Sequence, residues 1–319
     1  MLTTIFLLVG FFFIFKGADW VVKGGSSIAQ KLNISEIVVG LTIIALGTSA
    51  PELFINVLAS IKGSSEIAFG TVLGSNIANI FLVLGAAAII IPITIPPGTV
   101  RREIPISVFA AVILGILVND TLIDKAPASI LSRSDGMILF LSFLRFMYYY
   151  FSIAKKANGF NDHSTHGDYG LIKSMLLLLS GLVGLTLGAK WVIDGAVFLA
   201  MKLGVNETNI GLSVVAFGTS LPELVTALMA AYRKKPEIAM GTIVGSNIFN
   251  IFLVLGTSAM IRPMPFSTSS NFDIGFVILA SIMLFCFIYL GGRHRIEKWN
   301  GYVFLVIYFL YVIFIFARH

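Results

Sequence analysis

Two glutamates stand out because each is isolated in a long apolar segment. Glu52 is the sole charged residue between residues 37 and 61, and Glu223 is the sole charged residue between residues 208 and 232. A carboxylate inside a membrane helix costs free energy unless it faces a polar cavity or a partner, so such residues are functional by default. The spacing therefore predicts a pair of intramembrane carboxylates that bind cations.

The residues before each glutamate favour a break in the helix. Both glutamates follow Gly-Thr-Ser-x-Pro, and the proline leaves the carbonyl four residues earlier, near Gly47 or Gly218, without its usual donor. Helix breaks at membrane depth are tolerated where they line a cavity. A threonine four residues before each glutamate, Thr48 or Thr219, shares its helix face. In a kinked helix such hydroxyls can instead bond to their own backbone.

The next apolar segment of each half carries milder polar groups. Ser75 and Asn79 share one helix face, and Ser246 and Asn250 repeat this pair in the second half. Two further asparagines lie one residue away from this face and are predicted to form hydrogen bonds between helices: Asn76 and Asn247.

Every polar side chain in these four segments offers oxygen as its ligand atom. Cys286 and all four histidines lie elsewhere in the chain. Calcium takes about 6–8 oxygen ligands, whereas zinc and copper favour cysteine or histidine. Two carboxylates balance one divalent ion or a few monovalent ions, so the pattern favours one site that different hard cations occupy in turn.

The composition places these residues in a membrane protein. The chain has 319 residues, of which 57% are hydrophobic and 12% are charged, whereas a soluble domain is about half apolar and about a quarter charged. Soluble enzymes, disordered proteins and nucleic-acid-binding proteins are therefore excluded. A membrane helix needs about 20 apolar residues, and we predict ten such spans: 2–22, 36–61, 67–92, 103–119, 134–153, 171–200, 208–232, 237–261, 272–291 and 299–317.

The chain repeats itself after a shift of 171 residues. GLTIIALGTSAPE at 40–52 matches GLSVVAFGTSLPE at 211–223, and EIAFGTVLGSNIANIFLVLG at 66–85 matches EIAMGTIVGSNIFNIFLVLG at 237–256. Each copy holds five predicted spans, and an odd number makes the second copy enter the membrane from the opposite side. We therefore predict an all-α integral membrane protein with about ten transmembrane helices in two inverted five-helix repeats.

The repeats and the charges predict the domain limits and the orientation. We expect the first repeat at residues 1–153, a cytoplasmic linker at 154–170 and the second repeat at 171–319. With the N-terminus outside, most basic residues lie at cytoplasmic ends, as the positive-inside rule requires. Lys62 in an outer loop then matches Arg233 in an inner one. Both termini are predicted to lie outside.

At these motifs the chain resembles the calcium/cation antiporter superfamily, in particular its sodium/calcium exchanger branch. That family carries Gly-Thr-Ser-x-Pro-Glu and Gly-Ser-Asn motifs like those at 47–52 and 74–79, and at 218–223 and 245–250. The resemblance covers both halves of the chain. The ten predicted spans leave no room for a large cytoplasmic domain, as in prokaryotic members of the family. The resemblance therefore implies a multi-pass protein of a prokaryotic plasma membrane. It also implies an ion-binding core of spans two, three, seven and eight, across which spans one and six slide.

The resemblance implies a role for each motif residue. Glu52 and Glu223 would bind calcium and sodium, with oxygens for calcium from Thr48 and Thr219. The other implied ligands are four serines for sodium (Ser49, Ser75, Ser220 and Ser246), the backbone oxygens of Ala45 and Ala216, and two asparagines that line the central site, Asn79 and Asn250. The transported ions and the lipid bilayer are the expected partners, with no enzyme activity, no cofactor, no nucleic acid and no obligate protein partner.

Other functions remain open at this point. The branch that is coupled to protons typically shows Gly-Asn-x-x-Glu instead of Gly-Thr-Ser-x-Pro-Glu, so sodium ranks above the proton as counter-ion. Potassium-dependent exchangers carry Asp where this chain has Asn250, which favours independence of potassium. A cation channel is a further alternative, but channels usually form at a subunit axis. An intramembrane hydrolase ranks last because no activated nucleophile is evident.

Overall fold

A computed structural model describes residues 2–95, 102–123, 125–157, 169–202, 216–290 and 294–318. We number the main helices by predicted span and give α2 and α7 as two parts each. The helices are α1 (Leu2–Lys31), α2 (Glu36–Thr48 and Ala50–Lys62), α3 (Ser65–Ile90), α4 (Glu103–Leu117), α5 (Arg133–Ala157), α6 (Leu171–Lys202), α7 (Ala216–Thr219 and Leu221–Tyr232), α8 (Pro236–Ile261), α9 (Asn271–Leu290) and α10 (Lys298–Arg318).

The helices follow the ten predicted spans, but their lengths differ. Among the described residues, five helices are long and apolar enough to cross a membrane by themselves, and the bent helix α2 makes a sixth. Helix α4 has 15 residues and the described second part of α7 has 12. Helix α1 runs nine residues beyond the predicted end at 22, and α5 continues into the predicted linker as far as Ala157. Part of predicted span seven and most of the linker lie outside the described residues.

Short extended segments interrupt the expected run of helices. The described part of the chain contains four two-residue strands, β1 (Ile93–Thr94), β2 (Ile130–Leu131), β3 (Met264–Pro265) and β4 (Arg295–Ile296). Strand β1 pairs antiparallel with β4, and β2 pairs antiparallel with β3. They lie in the connectors between predicted spans, where Pro92 and Pro263 force the preceding Ile91 and Arg262 into extended backbone. Each pair joins one half of the chain to the other.

Helices α1 and α6 lie against each other in opposite directions. A Cβ atom on Gly10 would lie 2.9 Å from the Gly188 carbonyl oxygen, and a Cβ atom on Gly17 would lie 2.7 Å from that of Gly181. As the residue number of the contact increases along α1, it decreases along α6, so the two helices are antiparallel. Glycine is required at these crossings because any side chain would push the two backbones apart. Since α1 and α6 begin the two repeats, their antiparallel packing is the arrangement that inverted repeats require.

Two further glycine pairs show that the symmetry between the repeats extends to the last helix of each repeat. Gly85 of α3 packs on Gly301 of α10, and Gly256 of α8 packs on Gly136 of α5. Gly85 and Gly256 occupy equivalent positions in the two repeats. Each repeat therefore places its last helix against the third helix of the other repeat, around a common twofold-like axis.

The first part of α2 packs closely on α8. A Cβ atom on Gly241 would lie 2.7 Å from the Ile37 carbonyl oxygen, and one on Gly245 would lie 2.7 Å from that of Leu41. This approach brings the break in α2 beside the serine and asparagine motif of α8. Gly245 also faces Ala45, so the small residues of the two motifs allow their polar neighbours to meet.

Candidate cation-binding site

The two glutamates follow matching breaks in α2 and α7. Ser49 separates the two parts of α2 with φ −84° and ψ 5°, and Ser220 separates those of α7 with φ −85° and ψ 2°. The parts of α2 meet at 45°. A proline stands in the first turn of each second part, where its missing N–H costs nothing. Each glutamate therefore starts a new helix, and the positive end of the helix dipole lies close to its carboxylate.

Glu52 and Glu223 are both completely buried, with 0% exposure. Glu223 Oε1 accepts hydrogen bonds from Ser49 Oγ at 3.2 Å and from Ser246 Oγ at 3.5 Å. Both carboxylate oxygens of Glu52, and Oε2 of Glu223, have no hydrogen-bond partner among the described residues. Within the same residues no lysine or arginine forms an ion pair with either glutamate. Because Ser49 lies three residues before Glu52, its contact with Glu223 places that carboxylate beside the helix that carries Glu52.

The predicted serines meet in two equivalent pairs across the axis. Ser49 Oγ lies 3.0 Å from Ser246 Oγ, and Ser75 Oγ lies 3.3 Å from Ser220 Oγ. Ser49 corresponds to Ser220, and Ser75 corresponds to Ser246, in the repeat. The serine at the break of α2 therefore contacts α8, and the serine at the break of α7 contacts α3. These contacts bring all four hydroxyls into the same buried region.

Thr48 and Ala45 are linked through the backbone of α2. Thr48 Oγ1 lies 3.2 Å from the Ala45 carbonyl oxygen, and it also lies 3.5 Å from Ser246 Oγ. The Ala45 oxygen accepts a second hydrogen bond, of 3.0 Å, from the Ser49 backbone N–H. The alternative of a hydroxyl bonded to its own helix is therefore realised at Thr48. In α7, Thr219 is buried and Ala216 begins the described helix.

Four asparagines bridge α3 and α8 at the same level. Asn79 Nδ2 donates to Asn247 Oδ1 at 3.0 Å, and Asn250 Nδ2 donates to Asn76 Oδ1 at 3.0 Å. The prediction of helix-to-helix hydrogen bonds for Asn76 and Asn247 is confirmed. A widened π-helical turn starts at Asn79 and at Asn250 (Asn79–Leu84 and Asn250–Leu255), a distortion that is frequent at functional sites.

One buried polar residue beside the site was not predicted. Asn56 is 0% exposed, and its Nδ2 donates to the Glu52 carbonyl oxygen at 2.8 Å. Its Oδ1 has no partner among the described residues. Asn56 lies four residues after Glu52, as Thr48 lies four before it, so the helical spacing was a signal that pointed to it.

The region collects buried oxygens that only accept. Six of them have no donor within the described part of the chain: Glu52 Oε1, Glu52 Oε2, Glu223 Oε2, Asn56 Oδ1, Asn79 Oδ1 and Asn250 Oδ1. Leaving such atoms unpaired in a protein interior costs about 1–3 kcal/mol each, and more for a charged group. A hard cation bound between the two carboxylates would supply the missing partner for the oxygens that face it. Among the described residues no three His, Cys, Asp or Glu side chains come together as a metal site, so a cation held here would draw other ligands from hydroxyl, amide or backbone oxygens.

Comparison with known proteins decides the family. The sequence profile described as "Sodium/calcium exchanger protein" matches residues 2–152 and 173–317. The chain belongs to this family. It is 33% identical to the sodium/calcium exchanger MaX1 of Methanosarcina acetivorans over 97% of both chains, and 33% identical to the inner membrane protein YrbG of Escherichia coli over 90% of this chain and 89% of that one.

A solved member of the exchanger family shares the fold. The structure of the sodium-calcium exchanger NCX_Mj soaked with zero Na⁺ and Ca²⁺ superposes with a TM-score of 0.84, at 30% identity, over 98% of this chain and 99% of that chain. The predicted all-α membrane fold in two inverted five-helix repeats is confirmed, as is the resemblance to the exchangers. The chain is thus a membrane transporter of the cation/calcium exchange family.

Proposed function

We propose that this exchanger-family chain moves calcium across the membrane in exchange for sodium, at one site that both ions use in turn. The observation that carries the proposal is the convergence of Glu52 and Glu223 at the axis, with acceptor oxygens that the protein itself does not satisfy. The ligands assigned by the motif are these two glutamates, four serines (Ser49, Ser75, Ser220 and Ser246), Thr48 and Thr219, Asn79 and Asn250, and the backbone oxygens of Ala45 and Ala216.

The charge of the site explains why the exchange is obligatory. With both carboxylates ionised the empty site carries two negative charges, and moving them through a low-dielectric barrier is costly. One calcium ion, or a few sodium ions, neutralises them. The loaded site can then face either side of the membrane, while the empty site resists the change. Since calcium and sodium compete for the same two glutamates, one leaves as the other enters.

The glycine-lined contact of α1 with α6 supports a sliding motion for alternating access. Backbones meet directly at Gly17 and Gly181, so no side chain separates the two helices at this crossing. The site residues lie on α2, α3, α7 and α8, which are held together by the serine and asparagine contacts. We therefore propose that α1 and α6 move as one unit across a rigid four-helix core.

The membrane arrangement belongs to the same proposal. We propose a prokaryotic plasma membrane, both termini outside, and residues 154–170 as a cytoplasmic linker between repeats at 1–153 and 171–319. The inverted packing of α1 and α6 supports opposite orientations for the two halves.

The counter-ion decides between the two exchange reactions. Purified protein is reconstituted into liposomes that contain sodium, and these are diluted into sodium-free buffer with calcium-45. We expect calcium uptake that disappears when sodium is equal on both sides and that does not depend on potassium. Uptake that follows a pH gradient and ignores sodium would instead show proton exchange. Calcium currents without coupling to either gradient would show a channel.

A further inference from the structure

The four asparagines between α3 and α8 form a closed and reciprocal group. Asn79 donates to Asn247 and Asn250 donates to Asn76, both at 3.0 Å. In addition, Asn76 Nδ2 donates to the Asn247 carbonyl oxygen at 3.3 Å, and Asn247 Nδ2 donates to the Asn76 carbonyl oxygen at 3.5 Å. All four side chains are buried, with exposures of 0–2%. Each asparagine of one repeat is thus held by the other repeat.

The direction of these hydrogen bonds follows from the backbone. A backbone carbonyl oxygen can only accept, so the amide groups of Asn76 and Asn247 must turn their NH₂ ends toward it. Their Oδ1 atoms then point the other way and can only accept as well. Asn79 and Asn250 must therefore present their NH₂ ends to these oxygens. The Asn247 carbonyl oxygen thus determines the orientation of the Asn76 and Asn250 amides, and the Asn76 carbonyl oxygen determines that of the Asn247 and Asn79 amides.

The consequence lies at the opposite end of the outer amides. With its NH₂ group engaged, Asn79 leaves Oδ1 on its other side, and Asn250 does the same. Both of these oxygens are buried and have no donor within the described residues. The two ends of an asparagine amide are almost identical in shape, so packing alone does not choose between them. An NH₂ group turned into the site would repel a cation, whereas an oxygen binds it.

We propose that Asn76 and Asn247 are positioning residues that turn the carbonyl oxygens of Asn250 and Asn79 toward the cation. The proposal rests on the proposed function, since it assumes that Asn79 and Asn250 face a bound ion. Neither Asn76 nor Asn247 touches the ion. Each acts on the ligand of the opposite repeat, so the group keeps the site lined by oxygen and joins the two halves of the core at its centre.

The first test removes the orienting amide and keeps its size. In Asn76→Leu, the Asn250 amide loses its acceptor and is free to turn its NH₂ end toward the site. Loss of a residue that orients a metal ligand typically weakens metal binding about 10–100-fold. We expect a loss within this range in calcium-45 binding to the purified protein. The matched control is Asn119→Leu, which breaks a similar amide pair of 2.7 Å with Asn271 away from the site and should leave calcium binding unchanged.

The second test asks whether orientation is the cause. In the Asn250→Asp background both ends of the side chain are oxygen, so the orientation no longer matters. Adding Asn76→Leu to Asn250→Asp should therefore cause no further loss of calcium affinity, although the same change is damaging when Asn250 is present. The mirror pair, Asn247→Leu with and without Asn79→Asp, should behave in the same way because the group is symmetric.

The outcomes separate this inference from the proposed function. Equal losses in both backgrounds would show a structural role for Asn76 and would overturn the inference, and so would unchanged binding in Asn76→Leu. If every variant that carries Asn76→Leu or Asn247→Leu fails to fold, the two amides serve helix packing and the inference is likewise overturned. If the unsubstituted protein binds no calcium, the proposed function itself falls and this inference falls with it.

Discussion

Ser49 Oγ in the first repeat donates a hydrogen bond to Glu223 Oε1 in the second repeat, across 3.2 Å. The equivalent pair would be Ser220 and Glu52, but Ser220 contacts Ser75 instead, and neither oxygen of Glu52 has a partner in the described part of the chain. Two glutamates with the same sequence motif therefore have different surroundings. One carboxylate is held in place by hydroxyl groups, and the other is available to an ion at both oxygens.

This asymmetry predicts unequal effects of removing the two break serines. A hydrogen bond to a charged group contributes about 1.5–3 kcal/mol. We expect Ser49→Ala to raise the calcium concentration for half-maximal exchange by about tenfold, since it releases Glu223. Ser220→Ala removes a contact between two neutral hydroxyls and should have the smaller effect. Calcium-45 exchange by the two variants in liposomes measures this, and equal effects would contradict the structural difference.

Neutralising either glutamate should abolish exchange. Glu52→Gln and Glu223→Gln keep the shape of the side chain but leave one negative charge, which cannot balance a calcium ion. We expect sodium-driven calcium uptake to fall to the level of empty liposomes. Glu66→Gln is the matched control, because Glu66 is an exposed glutamate in the first turn of α3, and it should transport normally. Full transport by either site variant would exclude a shared two-carboxylate site.

The inverted repeat predicts that equivalent loops face opposite sides of the membrane. Cys286 is the only cysteine, so Cys286→Ala gives a background without thiols. In that background Lys62→Cys should react with an impermeant maleimide applied to intact cells. Lys234→Cys, next to the position equivalent to Lys62, should react only after the membrane is opened. Both side chains are exposed. Labelling of both from the same side would refute the proposed topology.

The close crossing of α1 and α6 predicts a penalty for one added methyl group. In Gly17→Ala the new Cβ would lie 2.7 Å from the Gly181 carbonyl oxygen and 2.8 Å from the Leu185 backbone nitrogen. Since both neighbours are backbone, the helices must separate, and overpacking of this kind costs about 1–3 kcal/mol. We expect a lower melting temperature of the purified protein.

Gly275→Ala is the control for this glycine substitution. No described atom lies within 4 Å of a Cβ atom placed on Gly275 in α9. Alanine is favoured over glycine in a helix by about 1 kcal/mol, so this variant should melt at the same temperature or higher. A similar decrease in both variants would attribute the loss at Gly17 to something other than the helix crossing.

Much of the site follows from the repeated motifs alone. Comparing the chain with itself shows that Ser49 and Ser220 occupy equivalent positions in the two repeats, as do Asn79 and Asn250. The isolated glutamates point to cations. The spacing of Thr48 and Glu52 also points to Asn56, which lies four residues further along the helix. The short strands lie outside the predicted spans, and they form only because connectors from opposite halves of the chain meet.

By itself the sequence determined the class of protein, the duplicated halves and their opposite orientation, and it predicted a set of candidate oxygen ligands. These properties depend on composition, on internal identity and on the odd number of spans, all of which are local or countable. Only the tertiary structure decided which hydroxyl reaches which carboxylate, and which end of each asparagine is left free. The contacts between the two repeats join residues that lie 145–198 positions apart, and they depend on where four helices cross, which no spacing along one helix can specify.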